Sequence, residues 1–273
     1  MKYTIIFSDL DGTIGDDNYQ YSTENKAAIQ RAKAKGIDIV LCSGRTPVSL
    51  VYAAERMGLS ASYAIGFNGG TVWDISQGKA LFNNTMPKDM AIEILSLIQH
   101  KTPAGIGVYL EPDLILKKGL KDGIKSLADE GVRDIETEDF ANDIKTDILK
   151  ILVMGDPKDL EKVELFIRDK IIGRVTMVYT AANILEFLPL NVNKGKGMIR
   201  LSEHMGISIS QTVGIGDNYN DIELIQMAGI GIAVANAVPP LKEAARYITA
   251  ADNNNSAFAE AVDHIISLNE GQL

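Results

Sequence analysis

The stretch that decides the fold is KYTIIFSDLDG, residues 2–12. Its first part, residues 2–8, is rich in β-branched and aromatic residues, which is typical of a strand buried on both faces of a parallel sheet. Two carboxylates, Asp9 and Asp11, follow this strand directly, and Gly12 allows the backbone to turn. Ligands of open α/β sheets bind at the carboxyl ends of strands, so the stretch predicts a functional site there.

Working outward, strand and helix patterns alternate with short connections in both flanks of the chain. The predicted strands are residues 2–8, 37–42, 63–67, 212–215 and 230–234. The predicted helices are residues 22–36, 46–58, 221–227 and 257–268, with a further helix opened by Pro239. This alternation predicts an α/β fold built on a doubly wound parallel sheet.

The middle of the chain has a different pattern. Hairpins are predicted around residues 111–113 and 181–183, and helices over residues 88–100, 120–130 and 159–170. Hairpins mixed with helices favour an α+β unit inserted into the α/β core. We place the core at residues 1–82 and 188–273 and the insert, a cap domain, at residues 83–187.

Composition limits the classes of partner. The chain has 273 residues, 46% of them hydrophobic, and a formal net charge of -9. An acidic surface argues against nucleic acid and anionic membranes as partners, because both require a positive field. It leaves room for a small anionic ester held by local donors and a metal.

Other sequence features indicate a cytoplasmic protein. The chain has one cysteine, Cys42, which excludes an intrachain disulfide and fits a reducing compartment. The apolar run at the start is too short for a signal peptide, and no segment approaches the roughly 18 apolar residues of a membrane span. Cys42 continues an apolar strand and is predicted to be a buried structural residue.

A second acidic cluster repeats the arrangement of the first. Asp217 and Asp221 follow the strand at residues 212–215, as Asp9 and Asp11 follow the first strand. Like charges about 4 Å apart repel by roughly 4 kcal/mol at an effective dielectric of 20, so such a group favours a bound cation. Oxygen ligands without His or Cys indicate Mg²⁺ rather than zinc.

Simpler interpretations of these carboxylates exist. Asp and Gly are common in surface turns, and Asp is a common helix cap. A calcium-binding loop is excluded, because its fifth, sixth and twelfth positions hold Thr13, Ile14 and Gln20.

Two further segments have the character of phosphate-binding loops. Ser43 and Gly44 offer a hydroxyl and backbone N–H groups just before a helix, although Thr46 with Pro47 also suits simple capping. Lys194 and Lys196 lie among glycines after the insert, where either could approach a phosphate or remain a surface residue.

In this order the four segments resemble the four motifs of the haloacid dehalogenase superfamily, over the whole chain. The matching positions are residues 9–13, Ser43, Lys194 and residues 216–221. Residues 67–70, residues 234–237 and the position of the insert resemble the Cof-type branch with a type IIB cap. Members of the family often have an apolar residue directly after the position of Ile14, whereas this chain continues with Gly15-Asp16-Asp17. This departure predicts an altered entrance loop.

The resemblance implies a role for each residue. Asp9 is expected to be the nucleophile, and Asp11 the acid that protonates the leaving alcohol and later activates water. Mg²⁺ is expected to be held by Asp9, Asp217, the backbone carbonyl of Asp11, and Asp221 directly or through water. The phosphoryl group is expected to be bound by Thr13, Ser43, Gly44, Lys194 and Asn220.

The predicted function is therefore a Mg²⁺-dependent phosphomonoester hydrolase that forms an aspartyl-phosphate. Its expected partner is a small phosphorylated metabolite, with sugar phosphates first, and the insert would act as a substrate-selecting lid. We expect a monomer or homodimer. Two alternatives stay open: a phosphohexomutase of the same superfamily, and a catalytically silent protein that binds phosphate esters.

Overall fold

The computed structural model describes residues 2–110, 113–117 and 133–272, which form two compact units. The first unit contains the chain up to Phe82 and from Asn193 onward, and the second is Asn83–Val192. The insert was predicted to end at residue 187, whereas the second unit continues to Val192. The reason is that the strand Ile184–Pro189 pairs with two strands of the second unit.

The strands and helices are numbered in chain order. The strands are β1 (Ile5–Ser8), β2 (Asp38–Cys42), β3 (Tyr63–Gly66), β4 (Thr71–Asp74), β5 (Lys79–Asn83), β6 (Gly105–Leu110), β7 (Asp113–Lys117), β8 (Arg133–Thr137), β9 (Lys150–Met154), β10 (Val175–Ala181), β11 (Ile184–Pro189), β12 (Thr212–Gly216), β13 (Ile230–Ala233) and β14 (Tyr247–Ile248). The helices are α1 (Thr23–Ala34), α2 (Pro47–Met57), α3 (Lys88–Ile98), α4 (Phe140–Asp143), α5 (Pro157–Ile171), α6 (Lys194–Met205), α7 (Ile222–Met227), α8 (Pro239–Ala244) and α9 (Ala257–Glu270).

The sheet of the first unit has the strand order β14-β13-β12-β1-β2-β3-β4-β5. The pairs from β14 to β3 are parallel, and β4 runs antiparallel to β3. The predicted fold class is confirmed, while β4, β5 and β14 add strands that the sequence did not predict. The order places β12, β1 and β2 side by side, so their carboxyl ends meet at one edge.

Both faces of this sheet are covered, which explains the continuous apolar run of β1. Ile6 belongs to a core cluster that contains residues of α1, α2 and α9, such as Ile29, Leu50 and Phe258. Ile5 and Phe7 belong to a second cluster with residues of α6 and α7. Alternate residues of β1 therefore face two helical layers, as expected for a doubly wound sheet. Cys42 lies in the second cluster and is fully buried, as predicted.

The helix boundaries follow the predicted caps. The Ser22 side chain accepts a hydrogen bond from the backbone N–H of Asn25 at the start of α1. Thr46 caps α2 in the same way with Pro47 as its first residue, and α2 ends at Gly58 with φ of 68°. These caps fix the loop between β2 and α2, which carries Ser43 and Gly44.

The second unit is α+β, as predicted. Its sheet has the order β10-β11-β9-β6-β7-β8, antiparallel except for the parallel pair β7–β8. Residues of α3 and α5, including Ile94 and Leu160, share a core cluster with Ile106 and Ile151 of the sheet. The predicted helix at residues 120–130 and most of the turn at residues 111–113 lie outside the described residues. Among the helices that are described, none has the length and apolarity needed to cross a membrane.

Candidate active site

The predicted site residues of the first unit meet at the carboxyl edge of its sheet. Asp9 follows β1, Ser43 follows β2, and Asp217 follows β12, which are neighbouring strands. Lys194 is the first residue of α6, and its N-cap Asn193 accepts a hydrogen bond from the backbone N–H of Lys196. Residues far apart in sequence are thus brought together by strand order.

Three carboxylates form the centre of the site. Asp9, Asp217 and Asp221 each offer an oxygen, and these oxygens lie within 4.8 Å of one another. Burial raises the pKa of Asp9 well above its ordinary value, with Lys194 opposing and the neighbouring Asp221 and Asp217 adding to the shift. Burial, followed by the Asp221 charge, raises the pKa of Asp217 to about 7. Such a group could hold a metal ion.

Lys194 joins two of these carboxylates. Its ammonium is fully buried and donates to Asp9 Oδ1 at 2.5 Å and to Asp221 Oδ1 at 2.6 Å. Burial alone would lower the pKa of Lys194, but the Asp221 and Asp9 carboxylates outweigh it and raise the pKa. The lysine therefore stays charged. The structure also distinguishes the two candidate lysines, since Lys196 is exposed.

Asp221 is fixed by three donors. Its Oδ1 accepts from Lys194, and its Oδ2 accepts from the backbone N–H groups of Asp217 and Asn218, both at 3.0 Å. A Cβ on Gly216 would lie 2.5 Å from Asp221 carbon atoms, so glycine is required there. This arrangement suits Asp221 to orienting Lys194 and the loop that carries Asp217.

Thr13 and Gly12 position the Asp217 carboxylate. The Thr13 hydroxyl donates to Asp217 Oδ1 at 2.7 Å. Gly12 has a φ of 81°, and a Cβ there would lie 2.6 Å from Asp217 Oδ2. Thr13 thus contacts a carboxylate, and its predicted contact with phosphate stays a prediction.

Asp11 is paired with an arginine to which sequence reasoning gave no role. The Asp11 carboxylate accepts from Arg45 Nε at 2.7 Å and from a terminal guanidinium nitrogen at 2.6 Å. The two side chains are 36% and 27% exposed. The planar fork of arginine matches a carboxylate with two parallel hydrogen bonds, which fixes the orientation of Asp11. The available signal was the position of Arg45, directly after Ser43-Gly44 on the neighbouring strand.

The predicted phosphate-binding residues are linked through Asn68. Its backbone N–H donates to the Ser43 carbonyl at 2.9 Å, and its side-chain oxygen accepts from Asn220 at 2.9 Å. A Cβ on Gly44 would lie 3.2 Å from the Asn68 amide nitrogen. Asn68 has a φ of 55°, a left-handed conformation that asparagine tolerates better than most residues. Sequence reasoning noted this asparagine without giving it a role.

A doubly wound sheet with a lysine-bridged carboxylate cluster at its carboxyl edge defines the chain as an α/β protein with a candidate metal and anion site at that edge. Residues 6–262 match the family described as haloacid dehalogenase-like hydrolase. The chain belongs to this family, as the motifs indicated, and relatives of it are named phosphatases.

Two relatives and one solved structure illustrate the similarity. YxeH of Bacillus subtilis (strain 168), provisionally named a phosphatase, is 28% identical over 97% of this chain and 98% of its own length. The 5-amino-6-(5-phospho-D-ribitylamino)uracil phosphatase YbjI of Escherichia coli (strain K12) is 26% identical over 97% of both chains. The crystal structure of a haloacid dehalogenase-like hydrolase from Bacteroides thetaiotaomicron is 28% identical, covers 97% of this chain and 100% of that chain, and has a TM-score of 0.84.

Proposed function

We propose that this protein is a Mg²⁺-dependent phosphatase that hydrolyses small phosphate monoesters, sugar and polyol phosphates first, through a phosphoryl group carried on Asp9. The observation that carries the proposal is Lys194, a fully buried cation in contact with Asp9 and Asp221 beside Asp217. Phosphoryl transfer needs in-line positioning and neutralised oxygen charge, and the buried Lys194 ammonium beside Asp9 supports the second of these.

The residues present fit a magnesium ion. The cluster is made of carboxylate oxygens, the ligand type that Mg²⁺ prefers. Burial, with the neighbouring Asp221 charge adding to it, raises the pKa of Asp9 and of Asp217 although Lys194 opposes the shift, and a bound cation would favour their charged forms. Asp9, Asp217 and the Asp11 backbone carbonyl would hold the ion, with Asp221 held by Lys194 alongside them. When bound, Mg²⁺ would supply charge neutralisation for the carboxylates and the phosphoryl oxygens.

Asp9 is the proposed nucleophile. One of its carboxylate oxygens attacks phosphorus, the bond from phosphorus to the ester oxygen breaks, and the phosphoryl group remains on Asp9. Lys194 offsets the charge of both the nucleophile and the phosphoryl group. Ser43, Gly44 and Asn220, which lie around Asn68, are the proposed ligands of the phosphoryl oxygens, and Thr13 is proposed to orient Asp217.

Asp11 is the proposed acid and base. It gives its proton to the departing ester oxygen, and it then takes a proton from the water that attacks phosphorus and frees Asp9. Arg45 is the proposed positioning residue for Asp11, since its two hydrogen bonds hold the carboxylate in one orientation. When Asp11 is protonated, the two hydrogen bonds from Arg45 to its carboxyl group must break or change their geometry.

The substrate class rests on chemistry and on relatives. The name of YbjI specifies a phosphorylated ribityl compound, which is a polyol phosphate. The net charge of -9 disfavours nucleic acid, which leaves small anions that a localised site can bind. The second unit is the proposed lid that selects among leaving groups.

The experiment is a free-phosphate assay over sugar, nucleotide and cofactor phosphates with Mg²⁺, with wild-type protein and Asp9→Asn. Wild type should release phosphate, and Asp9→Asn should release none while remaining folded by circular dichroism. Full activity of Asp9→Asn would rule out the nucleophile assignment. A mutase would interconvert hexose phosphates with little phosphate release, and a silent binding protein would bind esters without turnover.

A further inference from the structure

The chain makes a compact loop between Gly15 and Tyr21, directly after the first acidic motif. Within it, Tyr19 has a φ of 58°, and its side chain is 54% exposed. A left-handed conformation is uncommon for a bulky aromatic residue and persists only where surrounding contacts enforce it. An exposed tyrosine alone needs no explanation, but one held in this conformation does.

Asp16 enforces the conformation from inside the loop. One of its carboxylate oxygens accepts from the backbone N–H groups of Asn18 and Gln20, both at 2.8 Å. Its backbone carbonyl accepts from Tyr19 N–H at 2.9 Å, and its own N–H donates to the Gln20 carbonyl at 3.0 Å. These four hydrogen bonds close the loop around Tyr19.

Asp17 anchors the same loop to the C-terminal part of the first unit. Its two carboxylate oxygens accept from the side-chain amides of Asn253 at 2.9 Å and Asn254 at 3.0 Å. Asn253 also donates to the Gly15 carbonyl at 3.3 Å. Asp16 closes the loop from within and Asp17 ties it to residues 253–254, so the loop is fixed at both levels.

One side chain, that of Arg45, lies between the Tyr19 ring and the proposed acid Asp11. The Arg45 guanidinium carbon lies 5.7 Å from the centre of the ring, within cation–π range. The same guanidinium holds Asp11 at 2.6 and 2.7 Å. If Asp11 protonates the leaving oxygen, that oxygen lies within hydrogen-bonding distance of it. The space beside Asp11, bordered by Arg45 and Tyr19, is then within reach of the carbon skeleton attached to that oxygen.

We propose that Tyr19 is a specificity-determining residue, an aromatic platform against which the carbon skeleton of a sugar or polyol leaving group packs. This inference rests on the proposed function, because it uses Asp11 as the donor to the leaving oxygen. The C–H face of a sugar or polyol is apolar and suits a ring face, while its hydroxyls remain in water or pair with Arg45. The fixed loop holds the platform in place before substrate arrives, which reduces the entropy lost on binding.

The test compares wild type, Tyr19→Phe and Tyr19→Asn by phosphate release from ribose 5-phosphate, glucose 6-phosphate and acetyl phosphate. Asparagine tolerates a positive φ, so Tyr19→Asn removes the ring without straining the loop. Tyr52→Ala is the matched control, since Tyr52 is a similarly exposed tyrosine, 43%, on α2. Acetyl phosphate has a short leaving group that cannot cover a ring.

Tyr19→Asn should raise KM for the sugar phosphates about 5-fold with kcat little changed, because the ring binds ground state and transition state alike. Tyr19→Phe and Tyr52→Ala should resemble wild type, and KM for acetyl phosphate and the unfolding temperature of Tyr19→Asn should not move. An unchanged KM for the sugars, or an equal rise for acetyl phosphate, would overturn the platform alone. Wild-type turnover of acetyl phosphate but of neither sugar would overturn the platform together with the substrate class. No turnover of any ester would instead contradict the proposed function itself.

Discussion

At the scale of single residues, the site depends on one positive charge that is fully buried between carboxylates. Lys194 has no exposed surface, and it contacts Asp9 and Asp221 directly. A buried ion pair gives little net stability compared with apolar residues, but loss of one partner leaves the others uncompensated. The Lys194 ammonium is therefore expected to support both folding and binding of the phosphoryl group.

Substitution of Lys194 tests this double role. Lys194→Met should lower the free energy of unfolding by about 3–5 kcal/mol and abolish phosphate release, because two buried carboxylates lose their cation. Urea denaturation and the free-phosphate assay measure the two effects. Lys196→Met, two residues along α6 and exposed, should change neither. Equal stability of the two variants would contradict the assigned role of Lys194.

Substitution of Arg45 tests the orientation of Asp11. Arg45→Lys keeps the positive charge but loses the fork, so kcat should fall about 10-fold with a smaller effect on KM. Arg31→Lys removes an equivalent arginine–aspartate pair, with Asp263, at the exposed surface between α1 and α9 and serves as the control. An unchanged kcat in Arg45→Lys would show that Asp11 needs no fixed orientation.

At the scale of elements, the ends of the strands set the geometry of the site. Gly216 ends β12, and a side chain there would meet Asp221 at 2.5 Å. Gly216→Ala should therefore displace Asp221, loosen its contact with Lys194 and reduce kcat/KM by at least about 10-fold, as expected for a shift of the catalytic groups. Steady-state kinetics measure the loss, and activity equal to wild type would contradict the tight packing at this strand end.

The strands differ in how well the sequence alone predicts them. The parallel strands β1, β2, β3, β12 and β13 were predicted because each is a buried apolar run bounded by helix caps or glycine. Strand β9, residues Lys150–Met154, was missed although it is central in its sheet, since a short apolar run cannot be told from a buried helical segment by periodicity alone. Strand β14 was missed because its two residues carry too little pattern, and β4 was missed because it follows β3 after a turn at residues 67–70 and not after an α-helix.

The residues of the candidate site also differ in how far the sequence alone predicts them. The meeting of Asp9, Asp217 and Asp221 could be predicted, because their motifs follow strands of one sheet, whereas Lys194 was indicated over Lys196 by the family resemblance alone. The pairings of Arg45 with Asp11 and of Asn68 with Asn220 could not, because partners between loops depend on tertiary geometry. Residue type and position identified the chemistry, while the orientation of each side chain came from the structure.

At the scale of the whole molecule, metal binding should couple to pH and to stability. In the metal-free protein the pKa of Asp217 is about 7 and that of Asp9 is raised, so protons compete with Mg²⁺ for the same oxygens. Affinity for Mg²⁺ should therefore increase as pH rises from about 6 to about 8. Since the ion binds only the folded protein, added Mg²⁺ should raise the unfolding temperature more at the higher pH.

The raised pKa values of these carboxyl groups also predict how the stability of the metal-free protein changes with pH. A carboxyl group whose pKa is raised on folding stabilises the fold below its unfolded value, and this contribution is lost as pH rises through the folded value. For Asp217 the window runs from its ordinary value of 3.8 to about 7. Thermal unfolding in EDTA should show this decline, and Asp217→Asn should remove part of it. A pH-independent Mg²⁺ effect would contradict the assignment of these carboxylates as ligands.

The most direct measurement of the central proposal is the chemical fate of Asp9 during turnover. Wild-type protein with Mg²⁺ and a hydrolysed sugar phosphate is quenched in acid within one turnover, digested, and analysed by mass spectrometry. We expect one phosphoryl group on the peptide that contains Asp9, which survives the acid quench, disappears as free phosphate forms and is absent in Asp9→Asn. Phosphate release with no phosphorylated peptide, or with the phosphoryl group on another residue, would contradict it.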